Sequence, residues 1–191
     1  MAQVNREPNM LAINALKIEP ADTVLELGFG PGRATRTLTS MVPQGRVFGI
    51  DQSAATLGQA SRHNKRAILS GRVQLQQGRF DALPWDAETV DKILAVNVVY
   101  FFRSDAGEIC EARRVLRPGG MIAIYATDKS TMAGWSFCTP ETHRTFDRND
   151  LMAFILSGGF TDTEVVVRSL ALSFHISALL AICHKGADCH L

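Results

Sequence analysis

Cysteine is scarce in this sequence, with four thiols among 191 residues. They are too few and too widely spaced for the disulfide framework of a small secreted domain, so we expect them to be reduced. Two of them precede histidines near the C-terminus, in the pairs Cys183-His184 and Cys189-His190. Because this spacing matches no usual zinc finger or ribbon, no metal site is predicted, and zinc at these pairs is the minor alternative.

The sequence also lacks an excess of one charge and a long apolar run. Its formal net charge is +1, which gives no electrostatic argument for nucleic acid or a membrane surface as a partner. The apolar-rich stretch 170–182 is interrupted by Ser173, His175 and Ser177, and it is shorter than the ~20 residues that a bilayer span requires. Residues 1–10 contain no apolar core, unlike a signal peptide. These absences favour a cytoplasmic protein.

Strand-like apolar runs alternate with helical patterns along the chain. This alternation predicts an α/β fold in which a mostly parallel sheet is covered by helices on both faces, the doubly wound arrangement. The length suits a single domain over residues 1–191. Only a few residues separate the last two strands, which favours an antiparallel hairpin at the sheet edge. The predicted strands are 23–27, 46–50, 72–77, 91–97, 121–126, 163–168 and 176–184, and the predicted helices are 33–41, 53–65, 104–116 and 147–157.

Glycines at alternate positions, Gly28, Gly30 and Gly32, follow the first predicted strand and precede a predicted helix. Glycine lets ligand atoms approach the backbone, and a helix start offers unpaired N–H groups. Glu26 stands inside the strand, where a phosphate-binding loop would gain nothing from a negative charge. Asp51 ends the next strand, where a carboxylate can accept hydrogen bonds from ribose hydroxyls. The pattern predicts a site for a nucleotide-sized ligand.

The segment Glu-Leu-Gly-Phe-Gly-Pro-Gly (26–32), followed by Val-Phe-Gly-Ile-Asp (47–51), resembles the first two motifs of class I S-adenosylmethionine (SAM) dependent methyltransferases with a type 11 methyltransferase-like domain. The resemblance extends over residues 10–126 in order and spacing. It implies a Rossmann-like sheet of seven strands with the last one antiparallel, SAM as cofactor and S-adenosylhomocysteine (SAH) as product. Later segments are similar to the family's adenine-binding turn, fourth strand and fifth strand: 78–85, 90–97 and 115–125.

The resemblance also implies roles for individual residues, which should converge beyond the carboxyl ends of the strands. Asp51 and Gln52 would bind the ribose hydroxyls, and Leu57 would pack on the adenine. Asn97 would lie near the methionine part of SAM. The candidate cofactor-binding residues are Glu26, Gly28, Phe29, Gly30, Gly32, Asp51, Gln52, Leu57, Arg79, Phe80, Asp81 and Asn97.

The predicted adenine-binding turn departs from the family at Arg79, where many relatives carry an acid. A carboxylate bond from this position to the adenine amino group is therefore not expected. Either Asp81 substitutes for that acid or the backbone of Phe80 reads the adenine edge. A plain turn role for Asp81 is an equal alternative.

The segment Asn97-Val98-Val99-Tyr100 is similar to the N/D-P-P-Y signature of amino-methylating enzymes but lacks both prolines. Tyr100 is expected to face the methyl acceptor and is a catalytic candidate. The next two residues, Phe101 and Phe102, are expected in the core.

Methyl transfer from a sulfonium is an in-line displacement with a neutral leaving group, so alignment in a dry pocket is the main task of the protein. A general base is needed only when the acceptor must lose a proton. The long polar segment 127–146 is predicted to act as a lid and to supply the base candidate His143. A plain surface role for His143 is the alternative.

Few residues precede the first strand, so any helical cover is confined to residues 5–18 and the acceptor side is expected to be open. Either the acceptor is large, or a mobile loop or a homodimer partner closes this side. The predicted function is methyl transfer to a small-molecule acceptor. The alternatives are a non-catalytic SAM-binding protein that works through a partner and, less favoured, an NAD-dependent oxidoreductase, which Glu26 and the Gly-x-Gly-x-Gly spacing oppose.

Overall fold

The computed structural model describes residues 6–139 and 142–187. Its strands, in chain order, are β1 (Thr23–Leu27), β2 (Arg46–Asp51), β3 (Val73–Gln77), β4 (Val90–Val96), β5 (Leu116–Thr127), β6 (Val165–Ala171) and β7 (Ser177–His184). Its helices are α1 (Arg6–Ala15), α2 (Arg33–Met41), α3 (Ala54–His63), α4 (Lys65–Leu69), α5 (Gly107–Val115), α6 (Lys129–Met132) and α7 (Arg148–Ser157), with short 3-10 turns at Val99–Phe101, Asp162–Glu164 and Ser173–His175.

The strands of the described residues form one sheet in the order β3-β2-β1-β4-β5-β7-β6. Strands β3, β2, β1, β4 and β5 pair in parallel, whereas β7 is antiparallel to both of its neighbours. The predicted seven-stranded, mostly parallel sheet with a reversed last strand is confirmed. The predicted hairpin of the last two strands is also present, with β6 at the edge and β7 between β6 and β5.

Both faces of the central strands are buried, because successive side chains of a strand point to opposite faces. Leu25 joins the core layer that contains Ile109 of α5, whereas the preceding Val24 joins the layer that contains Ile13 of α1 and Leu38 of α2. Burial on both sides explains why these strands read as continuous apolar runs in the sequence.

The second predicted helix is broken at one residue. The prediction placed a single helix over 53–65, but α3 ends before Asn64 and a second short helix, α4, follows it. Asn64 is 4% exposed, and its Nδ2 donates to the carbonyl oxygens of Gly32 at 2.9 Å and Ala60 at 3.0 Å. This buried amide ties the end of α3 to the glycine turn after β1.

The fifth strand is longer than predicted, since it begins at Leu116 rather than Met121. The segment Pro118-Gly119-Gly120, whose residues are typical of turns, lies inside the strand. Gly119 adopts a positive φ of 78°, and its N–H donates to the Lys185 carbonyl oxygen at 2.8 Å. Pairing with the far end of the chain therefore extends the strand through residues that favour turns.

Helix α1 packs on the sheet face over β4 and β5, with Ile13 buried. No helix within the described residues is long and apolar enough to cross a membrane.

Candidate functional site

The glycine turn after β1 leaves its main chain accessible. Gly28, Gly30 and Gly32 all have positive φ angles, of 72°, 49° and 76°. A Cβ on Gly28 would lie 2.8 Å from Val98 Cγ2, and one on Gly32 would lie 2.6 Å from Asn64 Nδ2. A Cβ on Gly30 would meet nothing within 4 Å. Close packing therefore leaves no room for a side chain at Gly28 and Gly32, whereas the backbone of Gly30 faces open space.

Asp51 stands at the carboxyl end of β2 and is bound across the glycine turn. Its Oδ2 accepts from the Gly30 N–H at 2.8 Å and its Oδ1 accepts from the Ser53 N–H at 2.9 Å. Ser53 in turn caps α3 by accepting from the Thr56 N–H. A carboxylate has about four acceptor positions, so these two bonds orient Asp51 and leave acceptor capacity for a ligand.

Glu26 is buried beside the turn, with 4% of its surface exposed. Thr35 of α2 donates its hydroxyl to Glu26 Oε2 at 2.5 Å. Burial raises the pKa of Glu26 to about 8; the Thr35 bond acts in the opposite direction, and the negative charge of Asp51 adds to the rise. The side chain is therefore a neutral acid at neutral pH, and a cation placed next to it would favour its ionised form.

Two adjoining cavities of about 380 Å³ and 500 Å³ form a groove at the carboxyl ends of the strands. Gln52 and Phe101 line both cavities, so the two adjoin each other at these residues. Each volume lies in the range of small-molecule sites. The smaller cavity is also lined by Gly28, Asp51, Ser53, Phe80, Val96, Asn97 and Val98, and the larger one by Gln77, Gly78, Arg79, Asp81, Arg103 and Glu108.

Seven of the twelve predicted cofactor residues line this groove, whereas Glu26, Phe29, Gly30, Gly32 and Leu57 line neither cavity. The Phe29 ring is 3% exposed and fills the space over Gly49. Leu57 lies half-buried on α3 and lines neither cavity.

Salt bridges through Asp81 connect the turn after β3 to the segment after β4. Arg79 Nε donates to Asp81 Oδ1 at 2.8 Å, and Arg103 Nη1 donates to Asp81 Oδ2 at 2.7 Å. The Arg79 guanidinium, with help from Arg103, lowers the pKa of Asp81 to about 2. Arg103 also pairs with Asp105, and its N–H donates to both oxygens of the buried Glu108. Asp81 is therefore an ionised anchor between two arginines.

Tyr100 holds the ends of β4 and β5 together and lines neither cavity. Its hydroxyl donates to Asn97 Oδ1 at 2.9 Å and accepts from the Thr127 N–H. The side chain is 7% exposed, and burial raises the pKa of its hydroxyl to about 12. This placement contradicts the expectation that Tyr100 faces the acceptor, because its hydroxyl is used to orient Asn97, which has a positive φ of 55°.

Phe101 and Phe102 lie in different surroundings, although both were expected in the core. Phe102 is 4% exposed and packs against Phe80, as predicted. Phe101 is 51% exposed and lines both cavities, so its prediction was wrong. The cause is the 3-10 turn Val99–Phe101, which directs neighbouring side chains to different sides as the chain leaves β4.

The segment after β5 brings His143 close to the groove. The His143 ring lies 5.1 Å from the Phe101 ring, centroid to centroid, and its Nδ1 is 2.9 Å from Thr142 Oγ1. The segment is anchored at both ends, because Lys129 of α6 pairs with Asp147 and Asp150 at the start of α7. Residues 140–141 of this segment lie outside the described residues.

Comparison with known proteins identifies the family. A family model described as a methyltransferase domain matches residues 24–120. The chain is 30% identical over 178 residues to the uncharacterized methyltransferase YdaC of Bacillus subtilis, and the match covers 93% of both proteins. The chain belongs to the class I SAM-dependent methyltransferase family.

Two further similarities agree with the family. The methyltransferase is 36% identical over 108 residues to the trans-aconitate 2-methyltransferase of an Azoarcus species, which covers 56% of this chain and 40% of that relative. A solved SAM-dependent methyltransferase from Aquifex aeolicus has the same fold, with a TM-score of 0.72, 19% identity and coverage of 92% of this chain and 89% of that chain. The resemblance read from the sequence is thus confirmed, with SAM as the cofactor, and the NAD-dependent oxidoreductase alternative has no support.

Sequence reasoning missed two contributors to the methyltransferase site, Arg103 and Glu108. Arg103 meets Asp81 only in the fold, and no local pattern marks the pair. Of the predicted C-terminal Cys and His pairs, Cys183 is buried in the core, whereas Cys189 and His190 lie outside the described residues. Within residues 6–139 and 142–187 no group of three or more His, Cys, Asp or Glu side chains is placed to hold a metal ion.

Proposed function

We propose that this methyltransferase transfers the methyl group of SAM to a small-molecule acceptor by in-line displacement, as a single domain spanning residues 1–191. The observation that carries the proposal is the Asp51 carboxylate, held by the N–H groups of Gly30 and Ser53 at the mouth of a groove of small-molecule size. The name of the trans-aconitate methyltransferase supports an acceptor of that size.

The residues of the groove fit SAM in charge and shape. Asp51 and Gln52 bind the ribose hydroxyls, and the open space above Gly30 admits the cofactor close to the main chain. Glu26 stands near the turn as the partner of the cationic amino group, and Asn97 lines the cavity toward the methionine part. When bound, SAM supplies an electrophilic methyl group on a positively charged sulfur.

The adenine is held at the turn after β3. The Phe80 main chain and the turn residues Arg79 and Asp81 line this end of the groove. Two arginines already occupy the Asp81 carboxylate, so the main chain of Phe80 is the better reader of the adenine edge.

The acceptor enters the groove at the exposed side chain of Phe101. His143, next to Phe101, is the residue placed to accept a proton when the acceptor must lose one. Segment 127–146 excludes water over the groove, and a homodimer partner is the alternative cover. The main contribution of the protein is then alignment in a dry site.

Calorimetry of the purified protein with SAM, SAH and NAD tests the cofactor assignment. We expect SAM and SAH to bind and NAD not to bind, because the Asp51 carboxylate repels a pyrophosphate. Tight NAD binding without SAM binding would contradict it. A second experiment incubates the protein and cell extract with SAM labelled in the methyl group; a labelled small molecule supports the proposed transfer. Cofactor binding without any transfer would instead favour a SAM-binding protein that acts through a partner.

A further inference from the structure

Four aromatic rings form a continuous surface beside the groove, which we call the aromatic shelf: Trp135, Phe137, His143 and Phe101. Trp135 and Phe137 are stacked, with centroids 5.3 Å apart and planes at 23°. Phe137 meets His143 at 6.2 Å, and His143 meets Phe101 at 5.1 Å. Because Phe101 lines both cavities, the shelf continues directly into the groove.

Two rings of the shelf are largely exposed to solvent. In the part of the chain that the structure describes, the exposed large apolar side chains are Met10, Leu69, Phe101, Phe137 and Val166. The two aromatic ones both belong to the shelf, and they are 51% and 63% exposed. Exposed apolar surface at the mouth of a cavity is typical of a binding surface.

The basic side chains beside the shelf are engaged by carboxylates or, for Arg144, by an aromatic ring. Arg79 and Arg103 are the basic residues that line the groove, and both are bound to Asp81, while Arg103 also pairs with Asp105. The Arg144 guanidinium, next to His143 in sequence, lies over the Phe154 ring at 5.0 Å. On this side of the groove an acceptor would therefore meet a surface of aromatic rings rather than an unpaired basic group.

We propose that the acceptor is a planar, uncharged aromatic molecule that stacks on Phe101 and Phe137. This inference rests on the proposed function and specifies its substrate class. Aromatic rings pack on one another in offset or tilted arrangements that add to the apolar area they bury. A second copy of the chain is a poorer occupant, because the shelf is small and continuous with the groove, whereas a stable interface buries about 800 Å² on each partner.

The test compares matched probes on the protein saturated with SAH. The probes are 2-naphthol, its saturated counterpart 2-decalol and the anion 2-naphthoate, and affinities are measured by ligand-observed NMR titration. We expect 2-naphthol to bind about tenfold more tightly than each of the other two. Replacement of a shelf ring by an apolar side chain that is not aromatic, Phe137→Leu or Phe101→Leu, should weaken the affinity for 2-naphthol about fivefold.

Two controls separate the shelf from the fold and from the cofactor site. Leu69→Ala removes an exposed apolar side chain elsewhere and should leave 2-naphthol binding unchanged. Phe137→Leu should leave the SAH affinity unchanged, because Phe137 lines neither cavity.

The outcomes distinguish this inference from the function on which it rests. If SAH does not bind, both fail. If SAH binds but 2-decalol or 2-naphthoate matches 2-naphthol, or Phe137→Leu leaves 2-naphthol binding unchanged, only the aromatic acceptor is wrong. If Phe137→Leu dissociates a dimer in sedimentation experiments without weakening 2-naphthol, the shelf is a contact between copies and the inference is overturned.

Discussion

The two sides of the groove are built differently. On the cofactor side, Asp51 and Gly30 are fixed by main-chain hydrogen bonds at the ends of adjacent parallel strands. On the acceptor side, Phe101, Phe137 and His143 are held by ring contacts on segments between the sheet and the helices. Fixed backbone geometry suits a cofactor that every turnover uses, whereas ring contacts on loops are easily altered to change the acceptor.

The largest expected effect concerns the buried acid of the cofactor side. Because burial raises the pKa of Glu26 to about 8, the folded protein keeps a proton that the unfolded chain releases above its ordinary value of 4.5. The contribution of this proton to the free energy of unfolding is therefore fully present at low pH. It is lost as the pH rises toward 8, by about 1.4 kcal/mol per pH unit. Urea unfolding of the wild type and Glu26→Gln at pH 5, 6, 7 and 8 measures this difference.

The control in that experiment is Glu164→Gln, since hydrogen bonds from Gly186 and Thr161 lower the pKa of Glu164 despite its burial. That variant should not remove the decline between pH 5 and 8. If the free energies of unfolding of the wild type and Glu26→Gln change with pH in parallel, Glu26 is ionised in the folded protein.

The next effect is on SAM affinity. Asp51→Ala should weaken SAM binding by about 1.5–3 kcal/mol, the usual cost of losing charge-assisted hydrogen bonds, without unfolding the protein. Calorimetry measures the affinity, and circular dichroism checks the fold. An unchanged affinity would remove Asp51 from the ribose site.

The variant to compare with Asp51→Ala is Arg79→Ala, which changes another residue of the same groove. Arg79 is exposed, and Arg103 still pairs with Asp81 in its absence, so SAM affinity should change by less than about threefold. Loss of binding in this variant would mean that Arg79 itself contacts the cofactor or holds the adenine turn.

A smaller effect tests the tie between the two sides. Tyr100→Phe leaves Asn97 Oδ1 and the Thr127 N–H without their hydroxyl partner, which should lower the free energy of unfolding by about 1–3 kcal/mol. A positioning role also predicts that the pH profile of turnover keeps its shape. A shifted pH profile with unchanged stability would restore Tyr100 as an acid or base in the reaction.

The smallest expected effect is on the dynamics of the acceptor side. Amide hydrogen exchange in residues 128–139 and 142–146 should slow when SAH binds, by about threefold, while β1 and β2 exchange slowly in both states. Mass-spectrometric exchange of the free and SAH-bound protein measures it. Equal protection of this segment in both states would contradict the lid.

The cofactor side could be predicted from sequence because its signals are local. Gly28, Gly30 and Asp51 follow predicted strands at fixed spacings, and parallel strands bring their carboxyl ends together. The acceptor side could not be predicted, because the exposure of Phe101 depends on a 3-10 turn and the Asp81–Arg103 pair joins residues from different strand ends. Tyr100 was misassigned for the same reason: its partner Thr127 comes from another strand.

The position of β7 in the sheet has a consequence for folding. Because β7 lies between β5 and β6, the edge of β5 stays unpaired during synthesis until the chain has passed through both later strands. An uncovered strand with buried side chains such as Ile122 and Ile124 is a template for pairing with other chains. A chain that stalls before residue 177 therefore exposes the β5 edge, on which intermolecular sheets would grow.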